Sequence, residues 1–142
     1  GVSFSRDGRW LAYVSDETGR SEIYVRSFPE PTSKHPLSAD GGEAPTWSHD
    51  GRELYYVNQN RDLMVVELTT VPELRATAPV PLFGESATGV DLSGGGNMVA
   101  YYDVTSTGDR FLTLQVQGDA VPQLHIIVNW FEELERRVPT DK

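Results

Sequence analysis

The chain has no cysteine, and it has only three histidines and two methionines in 142 residues. Without thiols there is no disulfide framework, no thiolate zinc site and no cysteine nucleophile. Composition leaves the compartment open, because cysteine-free chains suit oxidising and reducing spaces alike. The histidines His35, His49 and His125 never stand four residues apart and form no His-Glu-x-x-His motif. The sequence therefore offers no metal site. Long apolar runs are missing too, and none approaches the roughly 18 residues that cross a bilayer. Basic residues are few, 12 against 21 acidic ones, for a net charge of −9. A surface of that sign repels phosphate backbones and anionic headgroups, which excludes nucleic acid and membrane insertion from the expected partners.

Patterns for catalysis are equally sparse. The string nearest to a serine-nucleophile elbow, Asp91-Leu92-Ser93-Gly94-Gly95, lacks the first glycine of Gly-x-Ser-x-Gly. No Gly-Lys-Ser/Thr follows the glycine run, so it is no phosphate loop. Acidic doublets such as Asp16-Glu17 and Glu132-Glu133 cannot face one another on a strand or a helix. The oxygen-rich loops at 16–19 and 58–62 are too short for a calcium loop of the EF-hand kind. No catalytic residue and no cofactor is expected.

What the chain does have is a repeat. Phe4-Ser5-Arg6-Asp7-Gly8-Arg9-Trp10-Leu11-Ala12-Tyr13 returns as Trp47-Ser48-His49-Asp50-Gly51-Arg52-Glu53-Leu54-Tyr55-Tyr56, 43 residues later. A period of about 40–45 residues carrying strands and turns marks β-propeller blades. The Asp-Gly pairs supply turn chemistry: aspartate bonds to its own backbone ahead and glycine accepts positive φ. They are read as structural. The first unit, residues 1–42, has strand patterns at 2–5, 11–14, 22–28 and 34–38. The second, 43–85, has them at 44–48, 53–57, 63–68 and 80–83, with a proline-punctuated loop before the last. The third, 86–128, is irregular. A glycine-rich insertion occupies 86–97, Thr105-Ser106-Thr107-Gly108-Asp109-Arg110 replaces the Asp-Gly turn, and strands are expected at 99–104, 111–116 and 123–128. Residues 129–138 carry helix signals: Asn129 as N-cap, Glu132 three residues on, Arg136 and Arg137 in the last turn, and Pro139 as the stop. Trp130, Leu134 and Val138 form a stripe expected to pack on the rim of the last blade. Trp10, Tyr13, Trp47, Tyr55 and Tyr56 follow strand alternation, and most of them are expected between blades.

The fold class is therefore all-β. One partial propeller spans 1–142, with about three blades of four-stranded antiparallel sheet and a short C-terminal helix. Propellers usually have about 4–8 blades, and an open arc of three exposes apolar blade faces. This chain is then the C-terminal part of a longer propeller, or copies pair to close a ring. Two copies would make six blades, which favours a homodimer.

The motifs Phe-Ser-x-Asp-Gly-Arg-x-Leu-Ala-Tyr and Ser21-Glu22-Ile23-Tyr24-Val25 resemble the TolB-like, WD40-related (PD40) propeller repeats of bacteria. Arg6 and His49 stand where those repeats usually carry proline. Tyr102-Asp103-Val104-Thr105, Gly108-Asp109-Arg110-Phe111-Leu112 and Ile127-Val128-Asn129-Trp130-Phe131-Glu132-Glu133-Leu134 resemble the closing segment of propellers that follow a serine/threonine kinase domain or another sensor module. No kinase motif occurs in these residues. The resemblance implies a non-enzymatic sensing or interaction platform for a protein or peptide, in a bacterial and preferentially extracytoplasmic setting. The alternative is the accessory propeller of a prolyl-oligopeptidase-like hydrolase, or a lyase with its site on the axis. Propeller sites gather where inner-strand ends surround the axis, which makes Glu43, Pro45, Thr46, Tyr102 and Asp103 the candidate binding residues.

Overall fold

The computed structural model describes residues 1–84, 92, 102–115 and 123–128. Twelve strands and no helix occur among them. The expected helix at 129–138, the insertion at 86–97 (Leu92 apart) and the beginning of the expected strand at 99–104 lie outside the described residues. The first sheet is a meander of β1 (Val2–Phe4), β2 (Trp10–Ser15), β3 (Glu22–Ser27) and β4 (Lys34–Pro36). The second contains β5 (Glu43–Trp47), β6 (Glu53–Val57), β7 (Asp62–Thr69), β8 (Arg75–Ala76) and β9 (Val80–Gly84). The third contains β10 (Tyr102–Val104), β11 (Arg110–Gln115) and β12 (Gln123–Val128). All pairings are antiparallel.

The expected strand positions hold to within a residue or two, with one addition. The outer edge of β7 is shared: β8 pairs with Leu68 and Thr69, and β9 pairs with Asp62 to Val65. Residues 75–84 thus run as one outer strand broken in the middle. Pro79 has no N–H to give to β7, so the ladder opens there. Thr77 bridges the gap, its N–H donating to the Glu67 carbonyl at 3.0 Å and its hydroxyl accepting from the Glu67 N–H at 3.1 Å.

One hydrogen-bond scheme builds the turn in every sheet. In the first, Ser5 N–H donates to the Trp10 carbonyl and Gly8 N–H to the Ser5 carbonyl, each at 2.9 Å. The Ser5 hydroxyl accepts from Trp10 N–H at 3.0 Å and donates to Asp7 Oδ1 at 2.7 Å, and that carboxylate takes the Arg9 N–H at 3.1 Å. Ser48, Asp50, Gly51, Arg52 and Glu53 repeat each bond. The third turn keeps the backbone bonds, Thr105 N–H to Arg110 carbonyl and Gly108 N–H to Thr105 carbonyl, but moves the carboxylate. Asp109 follows the glycine and takes the hydroxyls of both Thr105 and Thr107. Gly8, Gly51 and Gly108 hold φ of 68°, 73° and 75°, left-handed values that favour glycine.

The middle sheet is buried on both faces. Alternation along β6 and β7 sends Leu54, Tyr56, Val66 and Leu68 toward the first sheet, where they meet Ala12, Ile23, Val25 and Trp47. Tyr55, Val57 and Leu63 face the third sheet with Phe83, Tyr102 and Phe111. The Phe111 ring stands edge-on to Tyr55 at 5.1 Å and to Phe83 at 5.3 Å. Trp10, Trp47, Tyr55 and Tyr56 pack between described sheets, and Tyr13, the repeat counterpart of Tyr56, lies on the equivalent face of the first sheet. Tyr13 stacks on Tyr24 at 5.8 Å, on the face of the first sheet turned away from the second.

Glu22 anchors the passage from the first sheet to the second. Its carboxylate accepts from the Ser38 hydroxyl at 2.5 Å and Gly41 N–H at 3.1 Å, and pairs with Arg20 at 2.5 Å. Burial alone would raise its pKa, but these donors outweigh burial and lower it. The Ser5 hydroxyl, then the Arg9 side chain and N–H, bring Asp7 down to about 2.

Folded-state pKa values below the unfolded ones mean stability that is present at neutral pH and lost as pH falls. The urea midpoint is therefore expected to drop on acidification, first below about 4.5 for Glu22 and then from 3.8 to about 2 for Asp7. Glu22→Gln should flatten the upper part of that drop and Asp7→Asn the lower part. A second expectation concerns Thr113, which is fully buried and whose hydroxyl has no hydrogen-bond partner among the described residues. Thr113→Val should raise stability by about 1 kcal/mol, because it removes an unsatisfied group at nearly constant shape. Urea unfolding reads this as a higher midpoint at unchanged slope.

Candidate functional site

The first strands of the sheets stand side by side, β1 lying against β5, and one contact fixes the next pair. The Tyr102 hydroxyl of β10 donates to the Ala44 carbonyl of β5 at 2.7 Å. That carbonyl is available because β5 is bulged: register holds at Glu43 opposite Val57 and resumes at Thr46 opposite Tyr55. At the bulge Ala44 has a φ of 53°. This is an uncommon conformation for a residue with a Cβ. Pro45 beside it has no N–H to give to the ladder, which suits a bulge. Burial pushes the Tyr102 hydroxyl well above the usual tyrosine range, partly opposed by a hydrogen bond with Thr46 and reinforced by the charge of Asp103. Tyr102 is thus a neutral donor over the whole physiological range.

The candidate residues fall into two groups. Tyr102 and Pro45 are buried and Thr46 is half-buried, and these three shape the junction between sheets. Glu43 and Asp103 are exposed on the neighbouring strands β5 and β10. Asp103 Oδ1 accepts the Val104 N–H at 2.8 Å, which leaves its second oxygen outward. Ala44, whose backbone is the acceptor that ties the junction, carried no signal in the sequence, because alanine has no side-chain chemistry to announce a bulge.

The turns form a second surface. Arg6 and His49, equivalent positions of the repeat, touch through the guanidinium and the imidazole, Nη1 lying 2.6 Å from Nδ1. A cleft of about 380 Å³ separates these turns, and another of about 850 Å³ lies between the second and third. Thr70 lines both. Each turn carboxylate has its own arginine: Asp7 with Arg9 at 2.8 Å, Asp50 with Arg52 at 3.9 Å, Asp109 with Arg110 at 3.8 Å. The Arg52 N–H and the Ser48 hydroxyl hold Asp50 low, and the hydroxyls of Thr107 and Thr105 do the same for Asp109. Carboxylates held in this way are committed acceptors and poor general acids.

No protein-family model matches the chain, and no curated protein matches it in sequence. Solved structures do. TolB from Acinetobacter baumannii superposes on 90% of this chain and 29% of its own, with a TM-score of 0.58 at 13% identity. A TolB-like protein from Agrobacterium tumefaciens matches 90% of this chain and 44% of its own, with a TM-score of 0.53 at 13% identity. An oligogalacturonate lyase from Vibrio parahaemolyticus matches 80% and 27%, with a TM-score of 0.53 at 19% identity. The chain therefore spans less than half the length of each of these proteins. Identities this low speak to fold alone. Together with the repeated turns, the antiparallel meanders and the cores shared between sheets, they establish that the described residues form β-propeller blades similar in fold to those of TolB.

Proposed function

We propose that this propeller segment is a non-enzymatic interaction module that presents the inner-strand ends around Glu43 and Asp103 to a protein or peptide. The observation that carries the reading is the Tyr102–Ala44 bond at 2.7 Å. It ties the first strand of the third sheet to the first strand of the second while a carboxylate stays exposed on each. Preorganised polar groups on rigid elements lower the ordering cost of recognition. The lyase neighbour keeps an enzymatic reading in view, with chemistry on the same axis.

The arc also needs a cover. On the outward face of the first sheet, Val2 is 71%, Phe4 50% and Phe28 46% exposed, and the Phe4 and Phe28 rings meet edge-on at 5.0 Å. Apolar surface of this kind is a blade-to-blade contact without its second blade. It is met by a second copy of this chain or by further blades of a longer one. Light scattering across a dilution series separates these: a stable species of twice 15.8 kDa supports a ring closed by two copies, and a monomer supports a longer propeller.

The binding reading is tested by photo-crosslinking residues placed at positions 43 and 103, with position 75 on the outer rim as control. Capture of a protein from positions 43 and 103 but not 75 is expected. Absence of capture together with release of unsaturated uronate from oligogalacturonate would overturn the reading in favour of a lyase. Glu43→Gln and Asp103→Asn should weaken capture and leave stability unchanged within about 0.5 kcal/mol, as exposed substitutions do. Tyr102→Phe should instead cost about 1–3 kcal/mol by leaving the Ala44 carbonyl unpaired.

A further inference from the structure

Between the second and third sheets, away from the inner strands, lies a chamber of about 440 Å³. Its walls are apolar, with Tyr55, Val65, Leu82 and Phe111 among them, and no basic residue lines it among the described residues. Glu53 and Glu67 stand at one end. They line both this chamber and the adjoining polar cleft of about 850 Å³, as does Gly108. The two carboxylates therefore mark the neck where an apolar chamber opens into a wet vestibule.

Their placement is unusual in itself. Glu53 of β6 and Glu67 of β7 are direct Cα partners across the ladder, and like charges directly opposite destabilise a sheet. Every turn aspartate described above has an arginine beside it. Among the described residues, neither Glu53 nor Glu67 has a lysine, arginine or histidine within ion-pair distance. Glu53 Oε2 accepts the Tyr55 hydroxyl, which satisfies one oxygen but brings no positive charge.

We propose that this chamber binds a small organic cation, an ammonium group carried on an aromatic or aliphatic body. The body fills the space against Tyr55, Val65, Leu82 and Phe111, and the ammonium sits between Glu53 and Glu67. A volume of about 440 Å³ falls in the range of small-molecule sites, which bury an apolar body and fix it with a few polar groups. A cation at the neck relieves the repulsion between the facing carboxylates and makes charge-assisted hydrogen bonds to both. An anion would add a third negative charge. The site is independent of the inner-strand reading, since none of its residues lies on β5 or β10.

The test uses three probes with closely similar bodies: 2-phenylethylammonium, 2-phenylethanol and 3-phenylpropionate. Binding is followed by chemical-shift titration of the whole chain. The ammonium is expected to bind about tenfold or more tighter than the alcohol, as a charge-assisted bond supplies, with shifts centred on Tyr55, Val65, Leu82 and Phe111. The carboxylate is expected not to bind. Glu67→Gln should lower ammonium affinity about tenfold and leave the alcohol unchanged. Glu67→Lys places an internal cation opposite Glu53 and should abolish ammonium binding in a folded chain. Leu82→Trp fills the chamber and should abolish binding of both ammonium and alcohol. Equal affinity for the three probes, shifts elsewhere in the molecule, or an ammonium affinity indifferent to Glu67→Gln would each overturn the proposal.

Discussion

A sheet with two apolar faces can cover neither of them itself. That constraint organises this chain. The second sheet solves it on both sides: Leu54 and Tyr56 are buried against the first sheet, Tyr55 and Val57 against the third, so β6 after Glu53 reads as an unbroken run of apolar and aromatic residues. The first sheet solves it on one side only. Ala12, Ile23 and Val25 are fully buried, while Val2, Phe4 and Phe28 on the other face stay open. Burial of apolar area is worth roughly 25 cal/mol per Å², so an uncovered face is a standing force for association.

Registering sheets against one another requires that each begin its meander in the same way, and the turn provides this. The hydroxyl at its first position does double work, accepting a backbone N–H five residues on and donating to a carboxylate. The carboxylate is replaceable in position, as Asp109 demonstrates by binding Thr105 and Thr107 from the far side of the glycine. The glycine and the first hydroxyl are kept in all three turns. The third blade was therefore legible from Thr105 and Gly108 although it shares little else with the first two.

Much of the fold could be read because local chemistry and tertiary role agree. The decapeptide fixed the sheets, the alternation of apolar residues fixed their buried faces, and the paired glycines fixed the turns. The remainder depended on information that single residues do not carry. Pro79 announced an interruption but not that β8 would form on its other side. Ala44 gave no sign of a bulge, because its conformation is imposed by the Glu43 and Thr46 registers around it. Tyr13 holds the same position in its blade as Tyr56, yet it lies on the open face because the first sheet has no described sheet on that side. For the candidate site, the sequence pointed to strand ends but could not separate Tyr102, which ties the junction from inside, from Asp103, which is exposed. The chamber was invisible for the same reason. Glu53 and Glu67 are ordinary strand positions until the hairpin register sets them opposite each other.

The distribution of charge connects these points. The chain carries an excess of acid, and its turns neutralise their own share: Asp7 with Arg9, Asp50 with Arg52, Asp109 with Arg110. Glu22 is answered by Arg20 and Glu17 by Lys34. Acids in loops without a partner are free to turn into water, where a high dielectric disperses their field. Glu43, Glu53, Glu67 and Asp103 differ because they sit on strands, whose pleat fixes the direction in which each side chain leaves the backbone. Two of them are exposed on the first strands of neighbouring sheets and two border an apolar chamber. A carboxylate beside low-dielectric walls acts at longer range than the same group in solvent. Among the described residues, Glu43, Glu53, Glu67 and Asp103 thus carry charge with no ion-pair partner where backbone geometry holds it still, and that is where a positively charged ligand or segment gains most from meeting it.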